Sequence, residues 1–140
     1  MKTTHILLVE DNEADILLTT EALEEGIIFN KISVVRDGEQ AMHFLKKRNE
    51  YANAELPNII LLDINLPRQN GLEVLKLIKA DSNIKHIPII MLTTSSSKKD
   101  IQTAYKNYAN CYIIKPVDVN DFINAITKIE EFWVNMARLP

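Results

Sequence analysis

The chain has 140 residues, 46% hydrophobic and 25% charged, with a formal net charge of -3. Those proportions describe an ordinary globular protein with a core of its own, and the weak acidity gives no electrostatic reason to expect nucleic acid or an anionic membrane as partner. A single cysteine, Cys111, excludes an intrachain disulfide and a cysteine-built metal site.

The N-terminus leads into only four apolar residues, Ile6 to Val9, too few for a signal-peptide core. No apolar run approaches membrane-spanning length, so a cytoplasmic protein of one domain, residues 1–140, is expected. Residues 5–9 run without polar alternation and read as a strand buried on both faces. Glu10-Asp11-Asn12 follows, and Asn12 can cap a helix whose inner face would carry Ala14, Leu17, Leu18 and Ala22. Gly26 is its expected left-handed end.

Residues 31–35 form a second strand, and Asp37-Gly38 a turn. A second helix is expected over 39–49 with Ala41, Met42 and Leu45 inward. The run Ile59-Ile60-Leu61-Leu62 ends in Asp63 and is stopped by Leu66-Pro67, which makes it a central strand with a carboxylate at its C-terminal end. Asn70-Gly71 opens a third helix with Val74, Leu75 and Ile78 inward. Residues 89–93 form a fourth strand. The hydroxyl run Thr93-Thr94-Ser95-Ser96-Ser97 follows, then a helix with Ile101, Ala104, Tyr105 and Tyr108 at one-face spacing. Residues 111–114 form a fifth strand ending in Lys115-Pro116, and Asp118 caps a longer last helix reaching about Met136. Five βα repeats with short connections call for a parallel sheet covered by helices on both faces, and the flavodoxin-like order 2-1-3-4-5 fits.

In that order Asp11 and Asp63 face one another across the crevice where the strand order reverses, with Glu10 close by; Thr93 ends strand four and Lys115 follows strand five. Carboxylates that close repel, so either one takes a proton or a cation sits between them. An oxygen-only ligand set without histidine or cysteine favours a hard ion such as Mg²⁺, for which Mn²⁺ could substitute. Acids and a cation on one side and a base on the other fit phosphoryl transfer. Asp63 would be the nucleophile, forming an aspartyl phosphate whose oxygens meet the metal, Lys115 and Thr93. Asp63 could instead be a structural cap or ion-pair residue, and that reading loses weight only because the other strand ends are furnished too.

These residues carry a resemblance. Leu8-Val9-Glu10-Asp11, Leu62-Asp63-Ile64-Asn65-Leu66-Pro67 with Gly71, Pro88 through Thr93, and Ile114-Lys115-Pro116 stand in the order seen in response-regulator receiver domains of two-component systems. The resemblance covers essentially the whole chain. It implies Asp63 as phosphoacceptor, Asp11 as direct Mg²⁺ ligand, Asn65 as a ligand through its backbone carbonyl and Glu10 as a ligand through water. It also implies Thr93 as the switch hydroxyl, Lys115 as the phosphate counterion, Tyr112 as the switch aromatic and a cis Lys115–Pro116 bond. The chain departs from the common pattern in Glu10, where aspartate is usual. Tyr108 and Cys111 stand where glycine is frequent, and Thr94 stands where a smaller alanine is.

The tail from Phe132 to Pro140 is similar to that of the small receivers that partner bacterial phytochrome kinases, which dimerise through this region. Phe122, Ile126, Ile129, Trp133 and Met136 share one stripe of the last helix. One face must pack on the sheet, and that packing alone could account for these residues; the alternative is a second stripe, with Phe132 and Trp133, that makes a homodimer. The expectation is a stand-alone receiver. It is a phosphoacceptor catalysing its own phosphotransfer and dephosphorylation, rather than a conventional enzyme. Its partners are a sensor histidine kinase, a phytochrome among the candidates, and a downstream protein that the sequence does not name. Three alternatives fit the residues less well. A flavodoxin-like cofactor binder would want an anion cradle where Glu10-Asp11 stands. An aspartyl-phosphate phosphatase needs a second acid where Asn65 stands, and a degenerate scaffold receiver would lack one of Asp11, Asp63 or Lys115.

Overall fold

The computed structural model describes residues 4–24, 30–115 and 120. Among these, five strands, β1 (Thr4–Val9), β2 (Asn30–Val35), β3 (Ile59–Leu62), β4 (Ile89–Thr93) and β5 (Cys111–Ile114), form one parallel sheet in the order β2-β1-β3-β4-β5. Four helices connect them: α1 (Glu13–Glu24), α2 (Gly38–Leu45), α3 (Gly71–Ala80) and α4 (Lys98–Lys106). A short 3₁₀ turn at Asn49–Tyr51 follows α2. This is the expected doubly wound, flavodoxin-like fold.

The unbroken apolar strands have a direct cause. Leu7 and Val9 of β1 pack into a core with Phe44 and Leu45 of α2 and Val74, Leu75 and Ile78 of α3. Their neighbours Ile6 and Leu8 point to the other face and pack with Ile16, Ala22 and Leu23 of α1. Ile60 and Ile89 are fully buried, and side chains of that size are worth about 1.5–3 kcal/mol each on burial. With both faces covered, no position is left for a polar residue until the strand ends.

Three local expectations are corrected. On α1 the inward line is Ile16, Thr19, Ala22 and Leu23, while Ala14 is exposed, Leu18 half-buried and Leu17 58% exposed. This helix is apolar on several sides, so periodicity alone did not fix its phase. Helix α2 stops at Leu45, not Asn49, and buries Phe44 beside Ala41 and Leu45, with Met42 half-buried. It closes when Arg48 N donates to His43 O at 2.9 Å and Lys47 N to Phe44 O at 3.2 Å, with Lys47 left-handed at φ 55. That is a Schellman ending without its usual glycine. On α4 only Ala104 is buried; Tyr105 is 49% and Tyr108 75% exposed. The helix ends in the same motif, Ala109 N donating to Ala104 O at 3.0 Å and Tyr108 N to Tyr105 O at 3.1 Å, and Tyr108 takes φ 70.

The Asn12 and Asn70 caps stand where expected: Asp15 N donates to Asn12 Oδ1 at 3.0 Å and Leu72 N to Asn70 Oδ1 at 2.7 Å. Gly26, the Lys115–Pro116 bond and the last helix with Phe132 and Trp133 lie outside the described residues.

Candidate functional site

Register brings the site together. β1 pairs Val9 with Leu62 of β3, so the next residues, Glu10 and Asp63, stand side by side where the strands end. Asp63 N continues the ladder by donating to Val9 O at 3.1 Å. β4 pairs Thr93 with Ile114 of β5, and Lys115 N donates to Thr93 O at 2.7 Å. Behind Asp63, the start of α3 packs directly on the backbone. Gly71 N donates to Ile64 O at 2.8 Å, and a Cβ on Gly71 would stand 1.9 Å from the Asp63 carbonyl oxygen. Only glycine permits that approach, which fixes the peptide carrying Asp63.

The Lys115 ammonium is the hub. It donates to Asp63 Oδ2 at 3.0 Å, to Asp15 Oδ2 at 2.8 Å and to Glu10 Oε1. Glu10, Asp63 and Lys115 are all buried. Glu10 Oε2 also accepts from Asp11 N at 3.1 Å and Asn12 N at 3.3 Å. Burial pushes the Glu10 carboxyl up to about 7; Lys115 opposes this and the neighbouring Asp63 charge adds to it. For Lys115, burial acts to lower the ammonium, but its bonds to Asp15, Glu10 and Asp63 outweigh burial and hold it well above the usual lysine range.

The rim departs in part from the sequence expectation. Asp11 is exposed, and its carboxylate makes no hydrogen bond or ion pair with the described residues, so Glu10 rather than Asp11 joins Asp63 in the bonded cluster. Asn65 N donates to Asp63 Oδ1 at 3.1 Å, and Asn65 Nδ2 reaches Thr94 Oγ1 at 3.4 Å, which places Thr94 at the mouth of the site. Thr93 is fully buried and its hydroxyl accepts from Ser95 N at 3.3 Å. The half-buried Tyr112 donates its phenol proton to Ser95 O at 2.8 Å. Thr93 and Tyr112 are therefore linked through one residue, Ser95, which the sequence shows only as part of the hydroxyl run.

Sequence reading also passed over Asp15. It stands in the first turn of α1, and its carboxylate reaches the Lys115 ammonium. Among the described residues no three His, Cys, Asp or Glu side chains converge as a ready-made metal cage. The donor chemistry nonetheless fits a divalent cation. Glu10 and Asp63 share one ammonium, the exposed Asp11 stands next to Glu10 in sequence, and every donor among them is oxygen. A cavity of about 430 Å³ lined by Lys46, Arg48, Leu56 and Asp81 lies at the opposite edge of the sheet and takes no part.

A sheet with furnished strand ends, reversed in order between β1 and β3, defines a class, and comparison with known proteins gives it a family. Residues 6–127 match the response regulator receiver domain, and the chain belongs to that family. It is 42% identical over 135 residues to the response regulator Rcp1 of Synechocystis, covering 96% of this chain and 92% of that one. Among solved structures it is similar to the phosphorylated cyanobacterial phytochrome response regulator RcpA, with a TM-score of 0.96 and 45% identity over 99% of both chains. The Mn²⁺-bound form of Rcp1 has a TM-score of 0.93 at 42% identity, covering 98% of this chain and 99% of its own. The chain is thus related to phytochrome response regulators.

Proposed function

We propose that this receiver takes a phosphoryl group onto Asp63 from the phosphohistidine of a sensor histidine kinase of the phytochrome type, and signals by altering a protein-interaction surface. The observation that carries the reading is the Lys115 ammonium bonded at once to Asp63 and Glu10 at the ends of neighbouring strands. An Asp63 carboxylate oxygen attacks phosphorus, the P–N bond to the donor imidazole breaks, and the imidazole nitrogen leaves with the electron pair. Lys115, already 3.0 Å from Asp63 Oδ2, balances charge on the arriving group. Asp11, Asp63, Glu10 and the Asn65 carbonyl would hold Mg²⁺ or Mn²⁺, which supplies charge neutralisation at the phosphoryl oxygens.

Thr93 reports the arrival. Turning its hydroxyl toward phosphate removes the acceptor of Ser95 N, and Ser95 O holds the Tyr112 phenol. The altered face would include Tyr105 on α4, Tyr108 in the turn after it and Ile114 on β5, all exposed. The same reading takes residues 1–140 as one cytoplasmic receiver unit that pairs with a second copy through the last helix, Phe132 and Trp133 included.

Incubation with acetyl phosphate and Mg²⁺, followed by intact mass, tests it. One phosphoryl group should be added, and lost in Asp63→Asn and on chelation. An adduct that survives Asp63→Asn, or no adduct, overturns the reading. Sedimentation of wild type and Trp133→Ala tests the dimer: a monomer in both removes it.

A further inference from the structure

We propose that Asp15 is a positioning residue that keeps the Lys115 ammonium over the site while the other carboxylates change partners; this rests on the phosphoryl-acceptor reading above. An ammonium has three donors, and here all three are spent, on Glu10, Asp63 and Asp15. The three acceptors are not equivalent. Glu10 and Asp63 are the buried acids at which a divalent cation and a phosphoryl group arrive, and both compete with Lys115 for those oxygens. Asp15 belongs to α1, its side chain is 28% exposed, and no part of the proposed cation site draws on it. It is therefore the one partner that persists when the cation takes Glu10 and Asp63.

The backbone holds Asp15 ready. Its N–H donates to Asn12 Oδ1 at 3.0 Å, so the capped first turn of α1 sets where the carboxylate stands. A purely structural role would be a favourable acid at the helix N-terminus, and Asp15→Asn would then cost stability and nothing else. The 2.8 Å contact to Lys115 predicts a change at the ammonium itself.

The test compares wild type, Asp15→Asn and Asp15→Ala, each loaded with Mg²⁺. The ¹⁵N resonance of the Lys115 ammonium should be protected from solvent exchange in wild type and lost to fast exchange in both variants. Their initial rate of phosphorylation by acetyl phosphate should fall about tenfold, the scale of one charge-assisted hydrogen bond. An ammonium signal that stays protected, or rates equal to wild type, overturns the role of Asp15. A wild-type protein with a protected ammonium but no phosphoryl adduct strikes the acceptor reading instead.

Discussion

Replacing Gly71 by alanine sets two arguments against each other with opposite signs. Helix propensity favours alanine over glycine by about 1 kcal/mol, and Gly71 is the first residue of α3. Packing says the reverse. The added Cβ would lie 1.9 Å from the Asp63 carbonyl oxygen and 2.8 Å from both the Asp63 carbonyl carbon and Ile64 Cα. Carbon contacts settle near 3.5 Å, so the start of α3 or the Asp63 peptide must move by about 1.5 Å. The obstacle is backbone and cannot rotate aside, and the 2.8 Å bond from Gly71 N to Ile64 O is strained with it. Overpacking of this kind should cost about 3 kcal/mol, the upper end of its usual range. At roughly 2–8 °C per kcal/mol, the melting temperature should drop by at least about 6 °C. The same shift displaces Asp63, so phosphorylation of the folded remainder should slow. Thermal and urea unfolding decide the sign: a melting temperature equal to or above wild type would refute the packing argument.

Three further outcomes follow from the structure. Lys115→Met leaves Glu10 and Asp63 buried without their shared cation and should destabilise by roughly 3–5 kcal/mol, with Mg²⁺ restoring part of the loss; a deficit indifferent to Mg²⁺ would show that these acids do not meet the ion. Tyr108→Gly should stabilise by about 1 kcal/mol, because an exposed tyrosine at φ 70 gives up little packing and glycine takes that conformation freely; urea unfolding showing no gain would contradict it. His5 is held below the usual histidine range by burial and by Lys31. Stability linked to it is therefore complete above about pH 6.5 and is lost as pH falls toward the lowered folded value. Glu10, raised in the fold, acts in the opposite sense over part of that window, so the comparison is with His5→Phe, whose stability should fall less between about pH 7 and 5; parallel curves would refute the assignment.

Strand order and the strand-end residues were legible because they rest on one strong signal. β3, β4 and β1 from Ile6 onward are unbroken apolar runs, each meeting a polar or charged group at its C-terminal end. Parallel topology carries those ends to one edge. What was not legible lies where the usual signal is missing. Helices α2 and α4 both end on Schellman turns whose left-handed position is filled by Lys47 and Tyr108. No glycine announces the stop, and both helices were read too long. Helix α1 scatters apolar residues around its axis, so Leu17 was turned inward when it faces water. Asp15 and Ser95 were passed over for a different reason. Both are good capping residues, and a residue with a sufficient local role gives no sequence sign of a distant one, 100 positions away for Asp15 and Lys115.

The central claim is that chemistry occurs on the Asp63 carboxylate. It is tested most directly by phosphorylating the protein from a histidine-phosphorylated kinase, reducing the acyl phosphate with borohydride and mapping the peptides by mass spectrometry. The account predicts that residue 63, and no other aspartate, is converted to homoserine. Conversion at Asp11 or Asp15, or a phosphoryl group resistant to borohydride, would contradict it.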